Sequence, residues 1–505
     1  MQLNLTNIHY SYAGSPREVL DGVTLSLPAG WTGVVGDNGC GKSTLARLAA
    51  GILRPTAGSV SPAGLVAAYC EQDSTIAPAS LLDFAASWDH DAVRLRDALG
   101  IGDDWAWRFG SLSLGQRKRL QVAVALWGRP DVLVMDEPTN HLDAPAREAV
   151  LLALRSFSGV GILISHDRDL LDALVERCVS FERDAVRMRP GTYTRAFGQR
   201  EREVAAAADA QARARREERR LAAERQRRVE EASRADGLRS QRGLDPRDHD
   251  ARAKIRRAIV SGKDARATHL ATALDARIQA QRARAQVAFV ERRYDGGIPS
   301  LGERSRRAVI ARLPAGVVHY GDALDAPGVA IPDLLLGSGD HVGIVGPNGS
   351  GKTTLVTALV RAVPEDVPML FMPQELGEAD AARAMARLQG LGAAERGRVL
   401  SVVAQLNSRP EALLEGGEPS PGELRKLVLA EAVLAKPQIL VMDEPTNHLD
   451  LHSIEALERL LASFSGAVVL VSHDARAVRS SCGRMWRLRP TRGEDFSAGA
   501  VLGAR

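Results

Sequence analysis

The chain has 505 residues, 45% of them hydrophobic and 25% charged, a composition typical of globular proteins and a length that predicts two or three domains. Its four cysteines, Cys40, Cys70, Cys178 and Cys482, are widely spaced, which excludes a zinc ribbon or a disulfide scaffold and is typical of a reducing cytosol. No apolar run approaches the ~18–20 residues of a membrane helix, and the N-terminus lacks a secretory-signal pattern. We therefore expect a cytoplasmic protein without a membrane domain.

The first predicted elements surround a glycine-rich segment near the N-terminus. The apolar run 31–35 predicts a short strand, GDNGCGKSTL follows it, and a helical stretch begins at Lys42. Further along, 132–135 is a continuous apolar run, which is typical of a strand buried on both faces. Because strands alternate with helices in this half, we predict an α/β domain with a mainly parallel sheet.

The middle of the chain has a different composition. Residues 199–235 are almost entirely Ala, Arg, Glu and Gln, which favour helix; Gly237, Gly243 and Pro246 interrupt this pattern, and helical composition resumes over 251–293. Residues 200–295 contain 25 Lys or Arg and 16 Asp or Glu, a net charge of +9, so the rest of the chain carries −5 of the total of +4. This composition predicts a basic helical hairpin, a coiled coil with a thin alanine seam and helices about 50–60 Å long.

The motifs of the first half recur in the same order in the second half. GPNGSGKTTL at Gly346 repeats the segment at Gly36 with an offset of 310 residues, and ILVMDEPTNHLD repeats VLVMDEPTNHLD with an offset of 307. The segment ILISHDRD around His166 returns as VLVSHDAR around His473, again 307 residues later. Constant order and near-constant offset indicate a duplicated domain. We therefore predict two α/β domains, 1–198 and 296–505, joined by a long helical hairpin over 199–295.

Each copy contains GxxxxGK[ST] between a strand and a helix, the pattern of a phosphate-binding loop. Its glycines let backbone N–H groups converge on phosphate oxygens, while Lys42 and Lys352 would neutralise the β- and γ-phosphates of ATP, and Ser43 and Thr353 would reach Mg²⁺. A chance glycine-rich turn is the alternative, but two of only seven lysines stand at the required position. The predicted ATP-binding residues of the two loops are Gly36, Asp37, Asn38, Gly39, Cys40, Gly41, Lys42, Ser43 and Thr44, and Gly346, Pro347, Asn348, Gly349, Ser350, Gly351, Lys352, Thr353 and Thr354.

Acidic pairs follow two of the predicted buried strands. Asp136 and Asp443 end these strands, where a carboxylate can join the Mg²⁺ shell. Glu137 and Glu444 come next and are placed to polarise the attacking water. An Asp-Glu pair that only caps a strand end is the alternative, which the phosphate loops upstream disfavour.

A histidine follows a further apolar strand and a serine in each copy. These residues are His166 and His473. A histidine in that setting is commonly a packed or capping residue. The equivalent position in both copies instead favours a catalytic contact with the γ-phosphate.

The chain resembles the ABC ATPases, and specifically the ABC-F family of twin-cassette proteins, because EPTNHLD at 137–143 and 444–450 is typical of that family. The resemblance covers both cassettes and, more loosely, the linker. It implies that Gln72 and Gln374 sense Mg²⁺ and water, and that Asp143 and Asp450 couple the two ATP sites. It also implies that Tyr12 stacks on adenine; the second cassette has no obvious counterpart, and Tyr320 is the candidate there.

The family signature LSGGQ is altered in both copies, to LSLGQ at 112–116 and PSPGE at 419–423. Each copy keeps the serine and the second glycine, as Ser113 with Gly115 and Ser420 with Gly422. The head-to-tail arrangement of the family implies that Ser113 completes the site on Lys352 and Ser420 the site on Lys42, with the hydroxyl and the later backbone N–H contacting γ-phosphate. Pro421 itself has no backbone N–H, so the second signature loop lacks a donor at that position. Both copies keep their glutamate, so we predict two competent ATPase sites that need not be equal.

The basic linker is the part expected to meet RNA. ABC-F proteins carry a linker that enters the ribosomal tRNA exit site and touches P-site tRNA, so the resemblance implies a ribosome partner through rRNA and tRNA. Aromatic residues are absent from 200–288, which argues against base stacking and favours salt-sensitive phosphate contacts. The predicted RNA-binding residues are Arg239, Arg242, Arg247, Arg252, Lys254, Arg256 and Arg257.

Several functions are compatible with this organisation. The interval from Gln72 to Ser113 is shorter than that from Gln374 to Ser420, 41 against 46 residues, and only 32 residues follow His473. A long linker without an added arm or C-terminal extension resembles the ribosome-protection group that confers antibiotic resistance. A general translation factor, the ATPase subunit of a transporter with a separate membrane partner, and a DNA-handling ATPase are the alternatives. We expect a monomeric, ribosome-associated chain whose cassettes pair with each other.

Overall fold

The computed structural model describes residues 1–14, 18–182, 185–239, 273–284, 302–320, 328–408, 410–414, 419–489 and 499–503. The chain divides into two compact units, one formed by Met1–Ala196 with Arg293–Arg505 and the other by Phe197–Arg292. The first unit contains two α/β cassettes, and the second contains helices. The predicted α/β fold with two cassettes and an intervening helical segment is therefore confirmed.

The first cassette combines a parallel sheet, a smaller antiparallel sheet and helices. Its strands are β1 (Gln2–Ser11), β2 (Glu18–Pro28), β3 (Gly30–Val35), β4 (Ala57–Ser61), β5 (Ala67–Cys70), β6 (Val132–Asp136), β7 (Val160–Ile164), β8 (Arg177–Phe181) and β9 (Val186–Pro190). Its helices are α1 (Lys42–Ala49), α2 (Leu81–Ala86), α3 (His90–Leu99), α4 (Leu114–Trp127), α5 (Ala144–Arg155) and α6 (Arg168–Leu174), with a 3₁₀ turn at Ala106–Ser111.

The main sheet of this cassette has the order β5-β6-β7-β3-β8-β9. The first five strands are parallel and β9 is antiparallel to β8. Every residue of β6 and β7 is buried, as the continuous apolar run at 132–135 predicts. The antiparallel sheet β2-β1-β4 and helix α1 cover one face, and Leu5, Leu45 and Val134 belong to the core between them.

The second cassette repeats this arrangement with shorter antiparallel strands. Its strands are β10 (Val309–Leu313), β11 (Gly316–His319), β12 (Gly328–Ile331), β13 (Leu334–Gly337), β14 (His341–Val345), β15 (Met369–Met372), β16 (Ile439–Asp443), β17 (Ala467–Val471), β18 (Arg484–Arg489) and β19 (Gly499–Gly503). Helix α7 (Tyr193–Arg239) and a helix over 273–284, here α8, precede it. The helices of the second cassette are α9 (Lys352–Ala362), α10 (Glu378–Gly390), α11 (Ala393–Gln405), α12 (Pro410–Leu414), α13 (Pro421–Ala435), α14 (Leu451–Ser463) and α15 (Ala475–Ser481).

Its main sheet has the order β15-β16-β17-β14-β18-β19, which matches the first cassette strand for strand. Strands β16 and β17 are again buried along their whole length. One core cluster joins β10, β12, β13 and α9 to the sheet, and a second packs α10, α11, α13 and α14 on the other side. Trp486 of β18 is fully buried in the first of these clusters.

The helical unit contains an antiparallel pair. Arg225 of α7 pairs with Asp275 of α8, and Glu218 pairs with Arg282. The earlier residue of α7 pairs with the later residue of α8, so the two helices are antiparallel. Leu221 packs with two apolar residues of α8 between these ion pairs. Helix α7 has 47 residues, about 70 Å at 1.5 Å per residue, and continues through Gly237, where the sequence predicts a break. One glycine costs only about 1 kcal/mol in a helix interior, which so long a helix tolerates.

Within the described segments, no helix is both long enough and apolar enough to cross a bilayer.

Candidate functional site

The predicted site residues of each cassette gather at one edge of the parallel sheet. Strands β5, β6, β7 and β3 are parallel neighbours, so their carboxyl ends lie at the same edge. The phosphate loop follows β3, Gln72 follows β5, Asp136 ends β6 and His166 follows β7. The second cassette repeats this placement with β14, β15, β16 and β17.

Each phosphate loop ends in a glycine that begins the next helix. Gly41 has φ +106° and Gly351 has φ +84°, both in the left-handed region that favours glycine. A β-carbon at Gly351 would also lie 2.2 Å from the side chain of Val329. Larger residues are therefore excluded at this position by conformation and by space.

The loop lysines fold back onto their own loops. Lys42 Nζ donates hydrogen bonds to the carbonyl oxygens of Gly36 and Asp37 at 2.8 and 2.9 Å. Lys352 Nζ makes the two corresponding bonds at 2.9 and 3.0 Å and lies 3.3 Å from His473 Nε2. Both ammonium groups are thereby held over the concave side of the loop, where phosphate would sit.

Glutamate and histidine form the same pair in both cassettes. The backbone N–H of His166 donates to Glu137 Oε2 at 3.2 Å, and His166 Nε2 lies 3.4 Å from Glu137 Oε1. The matching distances for His473 and Glu444 are 3.1 and 3.4 Å. Both glutamates adopt left-handed backbone, with φ of 49° and 50°, which is a strained conformation for a residue other than glycine.

Burial changes the protonation of these groups. Burial, with Asp136 as the next contribution, raises the pKa of Glu137 to about 8, and burial raises the pKa of Glu444 to about 7. Burial and the neighbouring loop lysine lower the pKa of His166 and of His473 to about 3, so both imidazoles are neutral at pH 7. Among the described residues, none donates a hydrogen bond to Oε1 of either glutamate, which leaves one buried acceptor in each site.

The donor set at the strand ends fits Mg²⁺. Thr353 Oγ1 donates to Asp443 Oδ2 at 2.9 Å, and Ser43 bonds Asp136 in the same way. Each pair offers a hydroxyl and a carboxylate oxygen, the hard ligands that Mg²⁺ prefers. Tyr69 of β5 also donates to Asp136 Oδ2 at 2.7 Å. The register-equivalent residue of β15 is Phe371, which has no hydroxyl to support Asp443.

A cavity of about 520 Å³ lies between the two cassettes beside the first phosphate loop. Its lining includes Lys42 of the first cassette and Ser420 of the second. The predicted site residues that line it are Tyr12, Asn38, Gly39, Gly41, Lys42, Ser43, Thr44, Gln72, Asp136, Glu137, His166, Ser420 and Gly422. Residues of both cassettes therefore surround one space beside the first phosphate loop.

The phosphate loops and the EPTNHLD segments contact each other across the cassettes. Asn38 Nδ2 donates to the carbonyl oxygen of His448 at 2.9 Å. Asn348 Nδ2 makes the reciprocal bond to His141 at 3.1 Å, and its backbone N–H lies 3.4 Å from Asp143 Oδ2. The side chains of the two predicted ATP-binding asparagines are thus engaged with the opposite cassette, at equivalent positions.

The signature residues have structural roles that the sequence does not reveal. Ser113 and Ser420 are the N-caps of α4 and α13, and each forms a capping box with the residue three positions later. A β-carbon at Gly115 would lie 2.8 Å from the carbonyl oxygen of His141, and one at Gly422 would lie 2.5 Å from that of His448. Close approach of backbone to backbone is a sufficient reason for glycine at both positions.

The two tyrosines that were predicted to lie beside adenine differ in exposure. Tyr12 follows β1, is 42% exposed and forms a 3.0 Å hydrogen bond with Thr44 Oγ1. Tyr320 follows β11 and is 75% exposed. Each tyrosine is therefore accessible for stacking.

Two buried basic residues bond the backbone of the segments that contain Gln72 and Gln374, and the sequence motifs do not identify them. Lys118 is fully buried, and its ammonium donates to the carbonyl oxygens of Glu71 and Gln72 at 2.5 and 3.1 Å. Arg425 lies 307 residues later and donates to the carbonyl oxygens of Gln374 and Glu444. Lys118 and Arg425 are separated by the same 307 residues as the repeated motifs, and this shared offset was the signal in the sequence that could have identified them.

Only one of the predicted RNA-binding residues is among the described residues. Arg239 is the last residue of α7. The other predicted RNA-binding residues, Arg242, Arg247, Arg252, Lys254, Arg256 and Arg257, are outside the described residues. Their contacts with RNA stay a prediction.

Comparison with known proteins connects this geometry to a family. The ABC transporter family model matches residues 20–140 and 332–447, which contain both phosphate loops and both EPTN segments. The chain is 30% identical to the tylosin resistance ATP-binding protein TlrC of Streptomyces fradiae, an alignment that covers 100% of this chain and 99% of that protein. It is 27% identical to the ribosome protection protein VmlR of Bacillus subtilis, over 94% of this chain and 84% of that protein.

Solved structures show a similar fold at lower sequence identity. The RNase-L inhibitor superposes with a TM-score of 0.64 at 18% identity, covering 99% of this chain and 91% of that chain. At this identity the likeness concerns the twin-cassette fold alone.

Proposed function

The chain belongs to the ABC-F family of twin-cassette ATPases, and we propose that it is an ATP-gated ribosome factor that protects ribosomes against antibiotics. It binds and hydrolyses ATP through its two cassettes. The strongest support for gating is the cavity that Lys42 lines together with Ser420 of the opposite cassette. A nucleotide bound there would contact both cassettes at once, so its binding and hydrolysis would change how they pair.

The phosphate loops would hold the nucleotide in each site. Lys42 and Lys352 would exchange their loop carbonyl partners for phosphate oxygens, and the loop N–H groups would bind the same oxygens. Mg²⁺, when bound, would neutralise charge on the phosphates, with Ser43 and Asp136 as ligands in one site and Thr353 and Asp443 in the other. Gln72 and Gln374 would complete these shells.

The remaining residues would carry the hydrolytic step. Glu137 and Glu444 each keep one buried carboxyl oxygen without a described hydrogen-bond donor, so it can accept a hydrogen bond from the attacking water. His166 and His473 are neutral and hydrogen-bonded to these glutamates through their backbone N–H groups, so their rings can donate to the γ-phosphate. Ser113 and Ser420 would complete the sites from the opposite cassettes.

The helical unit would be the part that contacts RNA. Its predicted net charge of +9 over 200–295 and its lack of aromatic residues over 200–288 favour contacts with phosphate groups rather than with bases. VmlR, which aligns over 94% of this chain, is a ribosome protection protein, and TlrC, which aligns over 100% of it, is a tylosin resistance ATP-binding protein. These relatives support the proposed protection of ribosomes against antibiotics. We propose that α7 and the segment after it reach P-site tRNA near the peptidyl-transferase centre.

A co-sedimentation experiment tests this function. The double variant Glu137→Gln with Glu444→Gln should retain ATP, and with ATP it should sediment with ribosomes, because hydrolysis no longer releases it. Recovery in the ribosome-free supernatant would refute the proposal, and recovery with membranes would favour a transporter subunit. Replacing Arg242, Arg247, Arg256 and Arg257 by Ala should preserve ATP binding and weaken sedimentation; unchanged sedimentation would reduce the helical unit to a spacer.

A further inference from the structure

Arg147 is a charged residue of the first cassette that contacts both histidine loops. It lies on α5, and its Nη1 donates to the carbonyl oxygen of His473 in the second cassette at 3.1 Å. The same nitrogen lies 3.5 Å from Asp167 Oδ2, directly after His166 in the first cassette. Its Nε donates to the carbonyl oxygen of Leu142 at 3.1 Å, so the guanidinium is oriented from both ends.

The loop that Arg147 contacts is part of the second ATP site. The backbone N–H of His473 donates to Glu444 Oε2 at 3.1 Å, and its ring lies 3.0 Å from Asn348 Oδ1 and 3.3 Å from Lys352 Nζ. A bond to the carbonyl oxygen of His473 therefore orients the peptide whose side chain faces the phosphate loop. Arginine suits this task because its planar fork can bond several acceptors at once.

The residue at the equivalent position cannot make the same contact in the first ATP site. With the 307-residue offset, the position of Arg147 in the second cassette is Ile454, which is 2% exposed. Arg147 and Ile454 both line the cavity beside the first phosphate loop. An isoleucine side chain has no donor for the carbonyl oxygen of His166. The two sites thus share the phosphate loop, aspartate, glutamate and histidine but differ in what the opposite cassette supplies to the histidine loop.

We propose that Arg147 is a positioning residue of the second ATP site, through which the first cassette controls hydrolysis on Lys352. The guanidinium holds the His473 loop in its productive position while bonded to the loop of His166, so movement of one histidine loop affects the other. This role rests on the proposed functions of Glu137, Glu444, His166 and His473. It makes the second site dependent on the opposite cassette in a way that the first site is not.

Hydrolysis of preloaded ATP tests this role site by site. The full chain is loaded with ATP without Mg²⁺, freed of excess nucleotide and started with Mg²⁺, and phosphate release is followed over time. Glu444→Gln should remove the phase of the second site and Glu137→Gln that of the first. If neither substitution removes a phase, the proposed glutamate roles fail, which is a different result from failure of the Arg147 role.

Arg147→Ile copies the residue found at the equivalent position and should slow the Glu444-dependent phase about tenfold, which corresponds to about 1.4 kcal/mol. The Glu137-dependent phase should slow less, because Arg147 lines the cavity of that site whereas it bonds the histidine loop of the other. If the wild-type chain shows a single phase, the variant should split it into two. Arg147→Lys should restore part of the rate because lysine keeps the charge but not the fork.

A matched control separates this role from general destabilisation. Arg155→Ile removes a guanidinium at the end of the same helix, where Arg155 bonds Ala173 instead of a histidine loop, and it should leave both phases unchanged. Greater slowing of the Glu137-dependent phase than of the Glu444-dependent phase, equal slowing of both phases, or no slowing in Arg147→Ile would overturn the proposal. Loss of preloaded ATP from that variant would indicate a binding role and would also overturn it.

Discussion

Arg168 and Glu458 form an ion pair between the cassettes, and its energy can be tested by a double-mutant cycle. Arg168 Nη1 donates to Glu458 Oε2 at 3.2 Å, and Nη2 bonds Oε1, so the contact is bidentate. Arg168 Nη2 also lies 3.5 Å from Asp474, the residue after His473. The pair therefore joins α6 of the first cassette to α14 and to a histidine loop of the second.

The burial of this pair places its energy between two known limits. The side chains are 9% and 16% exposed, whereas exposed pairs contribute about 0.2–1 kcal/mol and removal of one partner of a buried pair costs about 3–5 kcal/mol. Hydrogen bonds to charged groups contribute about 1.5–3 kcal/mol, and we expect a coupling energy in that range. Arg168→Ala should destabilise more than Glu458→Ala, because in the latter Arg168 keeps Asp474 as a partner.

Urea unfolding followed by tryptophan fluorescence measures this energy, since the buried Trp486 reports on the second cassette and the other five tryptophans, including the buried Trp31, report on the first. The two single variants, the double variant and the wild-type chain give the coupling free energy. Arg383 and Asp380, a pair one turn apart on α10 whose side chains are 67% and 33% exposed, serve as the control and should couple by less than about 0.5 kcal/mol. A coupling energy of Arg168 with Glu458 as small as that of the control would refute the reasoning.

Two further predictions concern the signature glycine and the buried glutamate. Gly422→Ala would place a β-carbon 2.5 Å from the carbonyl oxygen of His448, so it should reduce the free energy of unfolding by about 1–3 kcal/mol and lower ATP turnover. Gly397→Ala, whose β-carbon would have no atom within 4 Å, should preserve both stability and turnover. Equal losses in the two variants would contradict this. Burial raises the pKa of Glu137 from 4.5 to about 8, so nucleotide-free protein should lose stability as pH rises through that interval. Glu137→Gln lacks this loss and should gain thermal stability relative to the wild-type chain between pH 5 and pH 8.5; a constant difference would contradict the assignment.

The parts of the fold that the sequence predicts well are those determined by local pattern. The apolar runs at 132–135 and 439–442 are fully buried strands, because hydrophobic residues on both faces of a strand require cover on both faces. Helices begin at Lys42 and Lys352 as the glycine pattern predicts. Helix α7 begins before the predicted 199, at Tyr193, because its first turn is anchored by folded neighbours: Thr194 bonds Asp172.

The contacts between cassettes were not predictable in the same way. Asp37 lies in a loop expected to bind phosphate, yet it accepts hydrogen bonds from Asn407 and His452, 370 and 415 residues away. Although burial alone would raise the pKa of Asp37, these two partners hold it below its ordinary value. Such contacts depend on how two folded surfaces meet, and no residue periodicity encodes that. Arg147 was missed for the same reason, although its mismatch with Ile454 at a fixed offset was visible in the sequence.

The duplication preserves one set of contacts between the cassettes and alters another. Asn38 with His448 and Asn348 with His141 are equivalent bonds of 2.9 and 3.1 Å, so each phosphate loop is joined to the opposite EPTNHLD segment. If symmetry were needed throughout the interface, the second cassette would also have an arginine at the position equivalent to Arg147; it has Ile454 there. The symmetric bonds lie where both nucleotides would require the opposite cassette. The asymmetric one lies at the histidine loops, so the proposed role of Arg147 implies that the opposite cassette influences hydrolysis differently in the two sites.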